Sequence, residues 1–530
     1  MRFLFIRLAF CYNNLVNIHR RGFNFIRRRK RLRQFGTAII CFLTALAIFS
    51  YLTNPFVEFS VVADPFEFTL NRDSQLELKQ VSELRLRTNV LVRLLADLKS
   101  GWHIFNNRFT GGKTTVSGDI EPIIREIHAL RFDPELPYLI SGDHFSLLYP
   151  RSLGIFYHTL LDPRTALDDN DWLHRETIYL KTLAYALDVF AKAKDLSTTI
   201  VPIAPQSVTL LNIYSPPIDT LYSLLYALQT LQNPEELIST YPFTANNYQP
   251  VHTVQAARDL LNEYRPELTY HFHKFISDIV DSHTNLVRTD RLFSGTKDIT
   301  QQRSSFYQNI ILWKTHQLAQ TLGLTEKNAA FLHELKQEIL NAFWLPSEGH
   351  FLEDLSPESI KDNYYSSDWL IAYMTGFLDP KNTEDRKYLE TLINYIRTNK
   401  IDEPFALRYH NESRRSRQYL PVRIFAPSYG STTIWSNWGM EYTKLLSTLG
   451  LLTCNEEYIR VAEKQLQAYT ENIKKYHGYP EVYATDGSIY APFVYKSVVR
   501  TGWVVSFEQA RTQFAWVKKQ METCGNQRMN

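Results

Sequence analysis

From about residue 75 to residue 520 this chain repeats one pattern: apolar residues at helical spacing, run after run, with short polar loops between. The first run, residues 74–100, carries Leu76, Leu78, Val81, Leu84, Leu86, Val90 and Leu94 on such a period. Comparable runs at 142–161, 169–194, 216–232, 253–283, 302–322, 326–343, 366–378, 385–399, 431–450, 455–475 and 501–521 predict about twelve helices. Loops rich in Pro, Gly, Asn and Asp separate them, as at 202–217 and 347–362. Strand signals are short, at 59–62 and 423–425. Glycine is scarce, 19 in 530 residues, and no low-complexity linker divides the body. One large all-α domain fits this better than several small ones. So many helices in one domain predict helix pairs closed into a toroid, or a solenoid. A solenoid would show a fixed period of about 34–45 residues, whereas these loops vary widely in length. The irregular loops are then the natural seat of a functional site.

The N-terminus is of another kind. Residues 1–57 contain no Asp or Glu, and hold ten Lys or Arg, most of them between Arg20 and Arg33. Residues 35–52, FGTAIICFLTALAIFSYL, carry no charge, and the uncharged window continues to Val57. About 18 apolar residues is the lower limit for a bilayer span. Basic residues directly before it predict a cytoplasmic N-terminus, with the remainder exported, a signal-anchor arrangement. A cleaved signal peptide is the runner-up; its basic region would be unusually long, and no small-residue cleavage site follows Leu52.

Setting those ten bases aside leaves 48 against 55 acids, a body charge of −7. A mildly acidic body argues against a nucleic-acid partner. Cys11 and Cys41 belong to the anchor region, and Cys454 and Cys524 are the two in the body. They are free to pair in an oxidising compartment but make no disulfide framework. No Cys/His spacing resembles a zinc site. His271 and His273 read as ordinary polar positions, since i and i+2 do not share a helix face.

The segment with the most suggestive local chemistry is Tyr479-Pro480-Glu481-Val482-Tyr483, in a turn set by Gly478 and Pro480. Aromatic faces stack on sugar rings, and a carboxylate between them serves as a base or binds hydroxyls. Trp435 and Trp438 lie about forty residues upstream and Trp503 about twenty downstream. The competing account makes these rings core packing and Glu481 a loop residue. Other loop acids are Asp143 after Gly142, Asp219 after Pro216-Pro217, Asp298 in SGTKD, Asp368 beside Trp369, and Glu176 next to Arg175. For Asp143 and Asp219, N-terminal helix capping is an equally simple role. Hydrolysing a glycosidic bond takes two carboxyl groups, and spacing alone does not pair them.

Several segments, in order, resemble six-hairpin glycosidases of the glycogen-debranching and processing α-glucosidase type. They are SPPIDTLYSLLYAL (215–228), the loop and helix at 285–324 containing SGTKD, GHFLEDL (349–355), STTIWSNWGMEYTKLLSTLGL (431–451), GYPEVYATDG (478–487) and TGWVVSFEQAR (501–511). The resemblance implies an all-α (α/α)6 toroid, and the uncharged run adds a single N-terminal transmembrane helix before it. The expected divisions are a basic cytoplasmic segment (1–34), the signal-anchor (35–57), a leading or capping segment (58–140), the toroid (141–521) and a tail (522–530). It places the general acid on Asp298 and the general base on Glu481, in an inverting hydrolysis of an α-linked oligosaccharide or polysaccharide. Asp143, Arg175, Glu176, Asp219, Asp368, Trp435, Trp438, Tyr479, Tyr483 and Trp503 become candidates for holding sugar. The resemblance implies no metal or organic cofactor. The alternative is an inactive toroid that binds glycan or organises a surface complex.

Overall fold

The computed structural model describes residues 37, 41–46, 48–49, 57–61, 82–110, 118–132, 138–143, 147–166, 169–204, 207–233, 253–297, 299–413 and 417–528. Most of them are helical. Eleven helices of twelve or more residues stand among the described residues: α1 (Val90–Thr110), α2 (Ile120–Arg131), α3 (Asp169–Ala193), α4 (Thr220–Gln232), α5 (Val254–Ile279), α6 (Phe306–Thr321), α7 (Ala329–Phe343), α8 (Thr383–Thr398), α9 (Ser436–Thr453), α10 (Glu456–Tyr476) and α11 (Val504–Arg528).

The helices are of two kinds, and the difference is written in their sequences. α9 buries 14 of its 18 residues, while α10, which packs on it, buries 8 of 21. α4 and α6 likewise bury most of their length, and α5, α7 and α8 bury a single stripe. A helix apolar all round belongs inside, and an amphipathic one belongs outside. α4 packs between α5 and α6, α6 against α7, and α9 between α10 and α11, which gives an inner and an outer helical layer. Starts are set locally. Ser305 and Gln308 form a reciprocal capping box at α6, and Asn328, Asn382 and Asn455 each accept backbone N–H bonds at α7, α8 and α10.

A four-stranded sheet joins the N-terminal part to the helical body. β1 (Val57–Val61) runs antiparallel to β2 (Ser82–Leu86), β2 runs parallel to β4 (Ser207–Leu211), and β3 (Thr199–Ala204) runs antiparallel to β4. Of the helix expected over 74–100, residues 74–81 lie outside the described residues, 82–86 are strand, and the helix begins only at Val90. Leu84 and Leu86 are buried and Arg85 between them is exposed, a period of two that overrode the helical count. The run at 142–161 contracts to a short helix at Arg151–Ile155, which begins after Pro150, followed by a 3₁₀ turn. The strand signal at 423–425 is instead part of a helical turn, Leu420–Phe425. Half of the uncharged run 35–52 lies outside the described residues; those described in it, 37, 41–46 and 48–49, are helical. Among the described residues no helix is long and apolar enough to cross a membrane.

Close approach of α9 to its surroundings depends on Gly439. A Cβ there would run into the Ala406 carbonyl and the Tyr469 hydroxyl, both of them buried. Gly439→Ala is expected to destabilise the fold by about 1–3 kcal/mol, measured by chemical denaturation against wild type.

Candidate active site

Glu481 is held by its backbone on two sides. Its N–H donates to Val498 O at 2.9 Å and its carbonyl accepts from Ser436 N–H at 3.1 Å. The next two residues, Val482–Tyr483, pair antiparallel with Ile434–Trp435 immediately before α9. The expected loop is thus a short strand pinned between the start of α9 and the segment leading into α11. Asp143 braces that segment. Its carboxylate ion-pairs with Arg131 on α2 and, at 2.9 Å, with Arg500. Asp143 is neither a free sugar ligand nor a simple helix cap; two guanidinium groups engage it.

The Glu481 carboxylate is 4% exposed. Tyr495 donates to its Oε2 at 2.7 Å and Tyr429 to its Oε1 at 3.2 Å. Burial pushes the Glu481 carboxyl up to about 7, with the Tyr495 and Tyr429 hydroxyls pulling it partly back. Burial also raises both phenols well above their ordinary value, so they remain neutral donors. Tyr429 and Tyr495 touch each other with ring centroids 5.1 Å apart, and Tyr429 touches Trp435 at 5.1 Å. Trp435 continues to Trp503 at 5.9 Å, and Trp503 stacks on Phe156 at 4.6 Å. The two expected tryptophans, Trp435 and Trp503, therefore do belong to the Glu481 surroundings.

The tyrosines that flank Glu481 in sequence do not make its cage. Tyr479 and Tyr483 are fully buried around Tyr469 of α10, and Tyr479 donates to Ser436 O. Trp438 is fully buried on α9 with its ring edge-on to Tyr409. These three are core residues, a correction to their expected place in a sugar pocket. Arg175 also has other work. It is fully buried, donates to Thr165 and His128, and pairs with Asp171 at 2.9 Å, while His128 in turn meets Glu508 of α11 at 2.7 Å. That network ties α2, α3 and α11 together, and Glu176 is buried beside it.

The loop expected to carry the acid lies on the other side of the same aromatic group. Asp298 itself lies outside the described residues; its neighbours on either side are described. Ser294 pairs with Pro217, and Arg151 donates to Gly295 O at 2.5 Å. Asp219 starts α4 without capping it; its Oδ2 instead accepts from Thr296 and from Tyr307, both at 3.1 Å. Ile299 accepts from Tyr419 N–H, and Thr300 bridges Gln418. A Cβ at Gly430 would sit 2.8 Å from the Ile299 Cδ1, so the residue next to Tyr429 is pressed against the residue next to Asp298.

Lys297 sits in a buried ionic knot. Its ammonium donates to Glu353, to His410 Nε2 at 2.6 Å and to Ser366 at 3.2 Å, and lies 4.5 Å from the centre of the Tyr409 ring. Gln302 and Arg417 also donate to Glu353, and Arg417 pairs with Asp354. Burial lowers Lys297, opposed by Glu353 and Asp368. Burial pushes Glu353 up, but Lys297, His410 and Arg417 outweigh it and hold the group below the usual carboxylate range. Asp368 accepts from Tyr409 at 3.3 Å, and burial raises it. Tyr409 touches Trp435 at 5.1 Å, so this knot and the Glu481 cage share one aromatic wall.

Sequence reasoning missed Tyr429, Tyr495, Tyr307 and the Lys297–Glu353–His410–Arg417 knot. The one local signal was the Tyr429-Gly430 pair; the rest are brought together from distant segments. Among the described residues no group of three or more His, Cys, Asp or Glu is placed to hold a metal ion. Cys454 is disulfide-bonded.

No protein-family model and no curated protein matches the chain. Solved structures do resemble it. A rhamnosidase from Klebsiella oxytoca is 14% identical over 77% of this chain, with TM-score 0.46; the match covers 66% of the rhamnosidase, just under two thirds. A glucoamylase from Saccharomycopsis fibuligera is 12% identical, covering 77% of this chain and 98% of that one, TM-score 0.48. A cellobiose 2-epimerase from Bacillus thermoamylovorans is 12% identical, covering 80% and 100%, TM-score 0.46. The glucoamylase and the epimerase are six-hairpin (α/α)6 proteins.

Two outcomes test this geometry. A carboxyl raised by folding adds stability below its unfolded value, near 4.5, and loses it as pH rises through about 7. Glu481→Gln is therefore expected to match wild type at pH 4 and exceed it at pH 8 by about 1–3 kcal/mol, read by thermal melts at both pH values. Lys297→Met, which strips a buried carboxylate of its nearest cation, is expected to cost about 3–5 kcal/mol by denaturant titration.

Proposed function

We propose that this chain is a glycoside hydrolase whose helical layers close into an (α/α)6 toroid, cleaving an α-linked oligosaccharide or polysaccharide with inversion. The observation that carries the proposal is the Glu481 carboxylate: buried, hydrogen-bonded by the phenols of Tyr429 and Tyr495, and pushed up to about 7 by burial. A general base works best when its pKa lies near the working pH. In the proposed reaction Glu481 takes a proton from water, the water oxygen bonds to the anomeric carbon, and the bond to the leaving oxygen breaks. Asp298 gives its proton to that oxygen, the role the sequence resemblance assigns to it. The contact of Gly430 with Ile299 supports the pairing, since it ties the Asp298 loop to the loop that presents Tyr429 to Glu481. An inverting pair needs about 6.5–9.5 Å between its carboxyls to admit water. Trp435 and Trp503 are the proposed stacking surfaces, and Asp219 and Asp368 the proposed hydroxyl ligands.

The anchor belongs to the same proposal: the apolar stretch 35–52 spans a membrane, with a basic cytoplasmic N-terminus and the body exported, while Val57, which the expected anchor included, belongs to β1 of the body. The disulfide at Cys454 favours an oxidising compartment. One observation favours the second reading, an inactive glycan-binding toroid. Asp219, Asp368 and Glu353, the described carboxylates around the acid loop, all accept hydrogen bonds from protein donors already.

A panel of α-glucosides and α-mannosides, followed by NMR of the released anomer, tests the proposal. Expected are first-formed product of inverted configuration and activity that rises with pH through about 7 as Glu481 ionises. Asp298→Asn and Glu481→Gln are each expected to lose roughly a thousandfold or more in kcat. Robust turnover by Asp298→Asn would overturn its role, and glycan binding without turnover by wild type would establish the second reading.

A further inference from the structure

Helix α1 is apolar on the side that faces away from the protein. Val92 and Ala96 pack inward against the sheet. On the opposite side Val90, Leu94, Leu98, Trp102 and Phe109 form a continuous stripe, exposed by 76, 41, 59, 68 and 69%. Phe105 fills the gap, with its ring 5.9 Å from Trp102 and 5.2 Å from Phe109. At 1.5 Å rise per residue the stripe is about 28 Å long. Arg108 donates to Pro492 O, which brings the 86% exposed Phe493 to its far end. A stripe of this length is far more than the scattered apolar residues of an ordinary surface.

The sheet says what lies over it. The apolar stretch 35–52 ends at Leu52, five residues before β1 begins at Val57. Five extended residues reach at most about 17 Å. Val57 pairs with Leu86, the last residue of β2, and α1 starts four residues later. The end of the sheet tethered to the run is thus the same end from which α1 departs. Arg93 is exposed beside the stripe, as on a helix in the headgroup layer, while Asp97 is also exposed and Lys99 donates to Pro202 O at 3.0 Å.

We propose that the outer face of α1 lies on the bilayer surface as an interfacial helix, holding the body against the membrane that its N-terminal run enters. This rests on the proposed anchor. Of the nine tryptophans Trp102 alone is largely exposed, so it reports directly. The full-length chain is reconstituted into phosphatidylcholine vesicles with brominated acyl chains. Its fluorescence is compared with that of Trp102→Phe and of the double variant Leu94→Glu/Leu98→Glu, both surface changes. Alkaline carbonate extraction of the same vesicles reports the anchor separately.

The expected result is that the Trp102 component is quenched at least twofold by bromolipid and shielded from aqueous iodide, and that the double variant loses most of this. Quenching by iodide alone in an extraction-resistant chain overturns the docked helix and leaves the anchor standing. Bromolipid quenching in an extractable chain upholds the docked helix and overturns the anchor. Loss of both signals overturns both. Shielding from iodide without bromolipid quenching, with the chain sedimenting as a dimer in detergent, also overturns the proposal and assigns the stripe to a second copy.

Discussion

Keeping a carboxylate out of water is the constraint around which this molecule is arranged. An ionised group buried without a cation is expensive, and Glu481 has two phenol hydroxyls where a salt-bridge partner would usually stand. Several features serve to hold it there. The strand pairing with Ile434–Trp435 fixes the backbone from one side, and Val498 fixes it from the other. The Arg131–Asp143–Arg500 triad braces the segment behind Val498, and the rings of Trp435, Trp503 and Phe156 exclude solvent. A group so placed favours the proton it would have to lose, which is the ordinary tension between stability and a working site.

The Lys297 knot solves the opposite problem. Its charges are buried but matched: one lysine and one arginine against Glu353 and Asp354, with His410 and Gln302 filling the remaining positions. Pairs of this kind add little net stability over an apolar core, yet breaking one member is costly, so they fix geometry. Here the geometry fixed is that of the loop on either side of Asp298. The two sites meet at Tyr409 and Trp435, one wall with a neutral carboxyl-stabilising cage on one side and an ionic network on the other.

Much of the fold was legible because helix period and burial are local properties. α9 and α10 both appear close to where the spacing put them, α9 burying most of its length and α10 a single stripe. The failures have local causes as well. Leu84 and Leu86 were counted into a longer helical run, but their own spacing of two is a strand period, and pairing with β1 and β4 realises it. Arg423-Ile424-Phe425 looked like a strand but had no partner strand, and closed into a helical turn. At the site, Glu481, Trp435 and Trp503 were picked by chemistry and do share one environment. Tyr479 and Tyr483 were picked by adjacency in sequence, but tertiary packing seats both rings around Tyr469 of α10 instead.

The sequence alone determined the helical body, the acidic charge of that body and the uncharged N-terminal run, and it singled out Glu481 by its local chemistry. Each of these is set by residue type and spacing within a few turns of chain. Only the tertiary structure decided which groups surround Glu481. Tyr429 and Tyr495 lie 52 and 14 residues away, and Glu353 and His410 reach Lys297 from 56 and 113. Contacts over such separations depend on how whole helices pack, and no local pattern encodes them.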